Sequence, residues 1–156
     1  MTTRRRFLLL AGGAAVSAAA RAQLPPDIQA RRKAALAEAV QKVTGGAPVR
    51  PGRVKLELPP LVDNGNAVPL AVEVESPMTP ADHVAAIHVF TEKNPQPRVV
   101  SVRLGPRAGR ARIATRARIA DSGTVLAIAR MSDGSFWSDS VSVVVTLSAC
   151  LEDGLI

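Results

Sequence analysis

Apolar and polar residues alternate along most of the chain beyond residue 53, which is the period of strands that bury one face. In the segment AVPLAVEVES, this period places Val68, Leu70, Val72 and Val74 on one face. Clusters of Gly, Pro, Asn and Asp separate the alternating segments, which read RVKLEL, AVPLAVEVES, HVAAIHVFTEK, RVVSVRL, RARIATRARIAD, GTVLAIARM and SVSVVVTLSA. Short, regularly spaced strands with turns between them are typical of a sandwich. We therefore predict an all-β protein built as an antiparallel β-sandwich.

A segment with the period of an α-helix precedes these strands. Between residues 27 and 43, apolar residues recur at steps of three and four, namely Ile28, Leu36, Ala39, Val40 and Val43. Asp27 is a good N-cap residue, and Gly45-Gly46 is a good stop signal. The pattern predicts one short N-terminal helix before the sandwich.

The first 22 residues have the features of an export signal. Three arginines at residues 4–6 precede an apolar run at residues 7–20, and Ala20-Arg21-Ala22 forms a small-x-small site before Gln23. The adjacent arginines also resemble a twin-arginine signal, which exports folded proteins. The run of about 14 residues is shorter than the roughly 20 of a membrane span. We expect cleavage near Gln23, a periplasmic protein, and no membrane contact after cleavage.

The predicted processing divides the chain into four parts. The signal covers residues 1–22, the helix and a proline-containing linker cover 23–53, the sandwich domain covers 54–148, and a cysteine-bearing arm covers 149–156. The whole chain has a net charge of +7. Without the signal's four arginines, 16 of the 20 basic side chains remain against 13 acidic ones, a net charge of +3. This weak charge favours no nucleic-acid partner.

One predicted strand carries a row of arginines. In RARIATRARIA, Arg110, Arg112, Arg116 and Arg118 share one parity, and the small or apolar residues between them share the other. A period of two places all four guanidinium groups on one face of a sheet. That face is either a solvated surface that blocks edge-to-edge aggregation or a docking face for an acidic partner.

The sequence shows no catalytic constellation. His83 and His88 are five residues apart, so in a strand they face opposite sides and cannot share a metal. Glu73 and Glu75 share a face that is typical of solvated acids. The serines of GSFWSDS lie in no nucleophile motif. We therefore predict a protein that is not an enzyme and that has no metal or cofactor, so the chemistry belongs to Cys150 or to a partner.

Cys150 is the only cysteine of the chain. In an oxidising compartment, an odd cysteine indicates an intermolecular disulfide or a reactive thiol. An inert buried cysteine is the alternative, but residues near a terminus are seldom buried.

Several longer motifs point to a known family. They are Asp63-Asn64-Gly65, VESPM at residues 74–78, IHVFTEKNPQPRV at 87–99, ATRARIA at 114–120 and ARMSDGSFW at 129–137. In this order they resemble SoxY, the sulfur-carrier subunit of the periplasmic thiosulfate-oxidising Sox system. The resemblance covers about residues 27–150.

The resemblance implies an immunoglobulin-like sandwich that forms a heterodimer with a SoxZ-like subunit. It implies that sulfur intermediates are attached covalently to a cysteine on a C-terminal arm, and this cysteine maps to Cys150. The partners implied are a haem-containing enzyme that loads thiosulfate, a hydrolase that releases sulfate and a sulfane dehydrogenase. The carrier itself has no cofactor.

The arm departs from the family pattern, which is Gly-Gly-Cys-Gly-Gly. Here Ser148-Ala149 precedes Cys150, and residues 151–156 read LEDGLI. Glycines keep an arm flexible and narrow, whereas these residues are bulkier. Glu152 and Asp153 are expected to raise the pKa of the thiol. Three readings remain: a working carrier, a SoxY-like binding sandwich that has lost carriage, and a homodimer linked through Cys150.

Overall fold

The computed structural model describes residues 26–147. Helix α1 spans Pro26–Thr44, and nine strands follow it in this part of the chain. The strands are β1 Val49–Pro51, β2 Val54–Glu57, β3 Leu61–Asn64, β4 Val68–Val74, β5 Val84–Thr91, β6 Arg98–Arg103, β7 Arg112–Ala117, β8 Gly123–Met131 and β9 Phe136–Leu147. Short 3-10 turns lie at Gly65–Ala67 and Pro106–Ala108. The predicted signal and the predicted arm lie outside the described residues.

The strands form two sheets, which confirms the predicted sandwich. The larger sheet has the order β1-β9-β8-β5-β6 with β3 also paired to β9, and the smaller sheet has the order β2-β4-β7. Most pairs are antiparallel, as predicted, but β1 and β3 both run parallel to β9. β9 therefore has two short parallel neighbours at different points along its length.

The core lies between the two sheets. The predicted apolar face of β4 is confirmed, since Val68, Leu70, Val72 and Val74 are all buried. The larger sheet contributes the residues facing it, including Val84, Ile87, Val89, Val125, Ala127, Ala129, Val143 and Val145. Asp139 of β9 accepts a hydrogen bond from the Leu56 amide of β2 at 2.8 Å, which ties the two sheets together.

Helix α1 packs on the outer face of the larger sheet. Phe90, Ile128 and Phe136 are buried beneath it, and Leu36, Val40 and Val43 pack against them. These helical residues belong to the predicted apolar stripe.

The start of the helix differs from the prediction. The helix includes Pro26, a residue well suited to a first helical turn because it needs no partner for an N–H group. Asp27 lies inside the first turn and is not the N-cap. Its carboxylate accepts a hydrogen bond from Arg31 at 2.8 Å, which lowers the pKa of Asp27.

The segment predicted as a linker contains strand β1. Val49 and Arg50 pair with Phe136 and Trp137 of β9. The guanidinium groups of Arg50 and Arg53 lie 5.8 and 5.7 Å from the centre of the Trp137 ring. These contacts attach the connection between helix and sandwich to the larger sheet. Within residues 26–147, no helix is both long and apolar enough to cross a membrane.

Candidate functional site

The last described residues of β9 lead directly to Cys150. Leu61 of β3 lies opposite Val144, and Asn64 lies opposite Leu147. Leu147 is three residues before Cys150 in the sequence. Three extended residues reach about 10 Å, so the thiol is confined to the neighbourhood of this end of the sandwich. Cys150 itself lies outside the described residues.

Side-chain hydrogen bonds anchor this end of β9 on both sides. The Ser122 hydroxyl accepts a bond from the Val145 amide at 2.9 Å and donates one to the Val145 carbonyl at 3.3 Å. The Thr146 hydroxyl donates to the Asp63 carbonyl at 3.0 Å. The end of β9 that precedes Cys150 in the sequence is therefore fixed by hydrogen bonds to two neighbouring segments.

The segment that follows β7 reaches the same end of the sandwich. The Ile119 amide donates to the Gly65 carbonyl at 2.8 Å, directly after β3. Asn94 is buried, and its side-chain amide donates to the Arg118 carbonyl and accepts from the Ala120 amide, both at 2.8 Å. Asn94 therefore fixes the backbone at Arg118. The sequence pattern indicates only that this asparagine lies between two strands, because its hydrogen-bond partners are more than twenty residues away along the chain.

The four arginines of the predicted docking face are all exposed. Arg112 and Arg116 lie in β7, whereas Arg110 precedes the strand and Arg118 follows it. Ala117 pairs with Val68, whose strand follows the Gly65–Ala67 turn, so Arg116 and Arg118 lie towards the end that carries Leu147. Their role in docking stays a prediction.

The other two arginines lie towards the opposite end and near acidic side chains. Arg112 pairs in register with Glu73, and its guanidinium lies 3.8 Å from the Glu73 carboxylate. Arg110 lines a cleft of about 510 Å³ together with Arg53, Lys55, Glu73 and Glu75, among other residues. Within residues 26–147, Arg116 and Arg118 form no ion pair. The four arginines therefore differ in their surroundings. Arg110 and Arg112 lie near acidic side chains, whereas Arg116 and Arg118 form no ion pair within the described residues.

The two histidines lie apart and have separate partners. His83 precedes β5, and its Nδ1 lies 3.1 Å from the Thr79 carbonyl oxygen. His88 lies within β5, and its Nδ1 lies 2.6 Å from the Ser101 hydroxyl. In the described part of the chain, no group of three or more His, Cys, Asp or Glu side chains is placed to hold a metal ion.

His88 gives the fold a specific dependence on pH. Partial burial, and then the charges of Arg98, Arg130 and Arg103, lower the pKa of His88 from its ordinary value of 6.5. The unfolded chain therefore binds more protons than the folded one between the two pKa values, so stability falls as the pH drops through 6.5.

We expect the substitution His88→Gln to reduce this loss of stability. The measurement is the urea midpoint of unfolding at about pH 7.5 and about pH 5.5, either side of the ordinary histidine pKa. His83→Gln is the matched control, because it makes the same substitution at the other histidine, which lies outside β5. If the two urea midpoints of His88→Gln differ by as much as those of the wild type, His88 is not the cause of this pH dependence.

Comparison with known proteins gives a family and a fold. The family model described as "Sulfur oxidation protein SoxY" matches residues 40–150. Among solved structures, the sulfur carrier protein SoxY from Chlorobium limicola f thiosulfatophilum is similar, with a TM-score of 0.60, 22% identity, and coverage of 74% of this chain and 98% of that chain. The superoxide reductase (neelaredoxin) from Ignicoccus hospitalis is similar too, with a TM-score of 0.54, 19% identity, and coverage of 60% and 80%.

At these identities the solved structures show the shared fold alone. The comparison with curated protein sequences finds no match.

Proposed function

The chain belongs to the SoxY family of sulfur oxidation proteins, and from this we propose that it is a sulfur carrier whose intermediates are held covalently on Cys150. The observation that carries this proposal is the family match itself, which runs through residue 150 and so includes the only cysteine. The anchored end of β9 supports it, because Cys150 follows that end by three residues.

The chemistry of carriage requires a thiolate and an oxidant. Attachment of thiosulfate forms a bond between the Cys150 sulfur and the outer sulfur of thiosulfate, and it releases two electrons. We propose that a haem-containing loading enzyme accepts these electrons. Attack of water on the terminal sulfonate by a hydrolase then releases sulfate and leaves a persulfide on Cys150. A sulfane dehydrogenase would then oxidise the remaining sulfane sulfur to a sulfonate with oxygen atoms from water and pass the released electrons to its own redox acceptor.

In this scheme the chain presents the sulfur and its partners perform the reactions. A short tether confines the sulfur close to the sandwich, which gives it a high effective concentration for any enzyme docked there. We propose a heterodimer with a SoxZ-like subunit in the periplasm, reached through the predicted export signal at residues 1–22.

The arginines towards the Leu147 end are suited to guide negatively charged partners or substrates. Arg116 and Arg118 are exposed, and neither has an ion pair within the described range. Thiosulfate is an anion, and unpaired surface charge raises the rate of association with an oppositely charged group.

We expect the double substitution Arg116→Gln and Arg118→Gln to slow loading of Cys150 by about threefold at low ionic strength, with the difference shrinking at high salt. The matched control is Arg110→Gln with Arg112→Gln, which removes the same charge from the other end of β7. The measurement is the initial rate of loading at several salt concentrations. If both double variants slowed loading equally, the arginines towards the Leu147 end would have no special role in loading.

A labelling experiment tests the proposed function. The mature chain is incubated with thiosulfate and the haem-containing loading enzyme alone, so that the adduct is neither hydrolysed nor oxidised further, and its free thiol is then reacted with a maleimide. Carriage predicts that Cys150 becomes resistant to the reagent only when thiosulfate is present, and that a reductant restores the reaction. Non-reducing electrophoresis separates this result from a Cys150-linked homodimer, which would be resistant without thiosulfate. A thiol that stays fully reactive would contradict carriage.

A further inference from the structure

Three arginines lie around His88 on the outer face of the larger sheet. Arg98 and Arg103 belong to β6 and Arg130 belongs to β8, and all three are exposed. Within residues 26–147, none of the three forms an ion pair. After partial burial, their charges lower the pKa of His88, and no acidic group among the described residues raises it. We call these four residues the basic cluster.

The register brings two of the arginines to either side of one alanine. Ala86 of β5 lies opposite Arg103 of β6 and, on its other side, opposite Arg130 of β8. The backbones of the two arginines are therefore two strand spacings apart, about 10 Å. Because Ala86 has only a methyl group, no bulky side chain separates the two guanidinium groups. His88 lies two residues further along β5 on the same face.

A bulge brings the third arginine to this face. Strict alternation in β6 would place Arg98 on the core side together with Val100. Val100 lies opposite Val89, which is buried in the core. The register then shifts by one residue, so that Phe90 lies opposite Arg98. Phe90 faces outward beneath helix α1, and Arg98 therefore shares the face of His88. Bulges commonly re-aim a side chain in this way.

The contact between His88 and Ser101 supplies a neutral hydrogen-bond donor. The two residues are register partners, and Nδ1 lies 2.6 Å from the hydroxyl oxygen. If the hydroxyl donates to Nδ1, the Nε2–H group is not used in this bond. If Nδ1–H donates to the hydroxyl oxygen, the hydroxyl hydrogen is not used. In either tautomer the pair can therefore donate one further hydrogen bond.

We propose that the basic cluster binds a doubly charged oxyanion of the sulfate and thiosulfate class. Guanidinium groups bind such anions through paired, charge-assisted hydrogen bonds, and the pair of His88 and Ser101 adds a donor. The cluster is about 10 Å across, which suits one small anion, whereas a protein partner needs about 800 Å² of surface. The choice of sulfur oxyanions within this class rests on the proposed function.

The basic cluster is distant from the end of β9 that leads to Cys150. Ile128 of β8 pairs with His88 on one side and with Ser138 of β9 on the other. Leu147 follows Ser138 by nine residues, which is about 30 Å of extended strand. The cluster would therefore hold an anion at a second site, separate from the proposed attachment of sulfur to the thiol.

An NMR titration of the His88 ring tests the site. Sodium sulfate and sodium thiosulfate are added separately to the mature chain at constant ionic strength, with sodium chloride as the balancing salt. We expect a saturable shift of the His88 signals with each dianion. The double substitution Arg103→Gln and Arg130→Gln should weaken binding at least about tenfold, because hydrogen bonds from two charged groups are lost.

The matched control is Arg110→Gln with Arg112→Gln, which removes the same charge from the region of β7 in the smaller sheet. This variant should bind both dianions with the wild-type affinity. If it loses as much affinity as the Arg103 and Arg130 variant, the effect comes from net charge and the proposed site is wrong.

The remaining outcomes separate this inference from the proposed function. If the His88 signals show no saturable shift, or shift equally with chloride, the cluster is not an oxyanion site. If the dianions give no saturable shift and the Arg103 and Arg130 variant instead binds a SoxZ-like subunit more weakly, the cluster is a protein-docking surface and the proposal is wrong. If the dianions bind as expected and thiosulfate still fails to load Cys150, the oxyanion site stands and the carrier function fails.

Discussion

Replacement of Cys150 by serine is expected to reduce thiosulfate oxidation by the reconstituted system to the rate measured without the protein. A serine hydroxyl is not ionised at neutral pH and forms no sulfur–sulfur bond, so the variant has no place for the adduct. Because this is the only cysteine of the chain, no second thiol can replace it. The effect should be a loss of turnover with no change in the affinity of the partners.

The stability of Cys150→Ser is the control for this experiment. Cys150 follows the last described strand in the sequence, and the buried residues of the core run from Val54 to Val145. The urea midpoint of unfolding should therefore equal that of the wild type. If the variant is stable and oxidation continues at the wild-type rate, the sandwich has retained the family's fold without the family's carrier chemistry.

Replacement of Phe90 by alanine should have the largest effect on stability, about 3–5 kcal/mol of the free energy of unfolding. Phe90 is fully buried and belongs to the cluster beneath helix α1. Its loss leaves a cavity between the helix and the larger sheet, so we also expect faster hydrogen exchange in α1. Urea denaturation measures the free energy, and mass spectrometry of the helical peptide measures the exchange.

Phe90→Leu is the matched control, because leucine refills much of the same space. It should lower stability by about 1–2 kcal/mol and leave most of the helix protected. If Phe90→Ala lowered stability no more than Phe90→Leu does, the helix would not be packed on the sheet as described.

The core of the sandwich could be predicted from the sequence because alternation reports directly which face of a strand is buried. β4 is the clearest case, with Val68, Leu70, Val72 and Val74 all buried as expected. β1 and β3 could not be predicted in this way. They have three and four residues, they lie next to prolines, and they form parallel pairs with β9. Pairing over such distances leaves no local pattern in the sequence.

The residues of the candidate site also fall into those that could be predicted from the sequence and those that could not. The sequence identified Cys150 from its uniqueness and from the family resemblance, and it identified the exposed arginines from their spacing. It did not distinguish Arg112, which lies beside Glu73 on the neighbouring strand, from Arg116. It also missed Asn94 and Ser122, because their roles arise from hydrogen bonds to residues distant in the sequence.

The intact mass of the mature protein, purified from the periplasm and measured with and without thiosulfate and the partner enzymes, tests the central claim most directly. Carriage predicts a reductant-sensitive increase by the mass of a sulfur atom or of a thiosulfonate group, located on the peptide that contains Cys150. A protein that keeps its unmodified mass with every partner and thiosulfate present would contradict the assignment of this chain as a sulfur carrier.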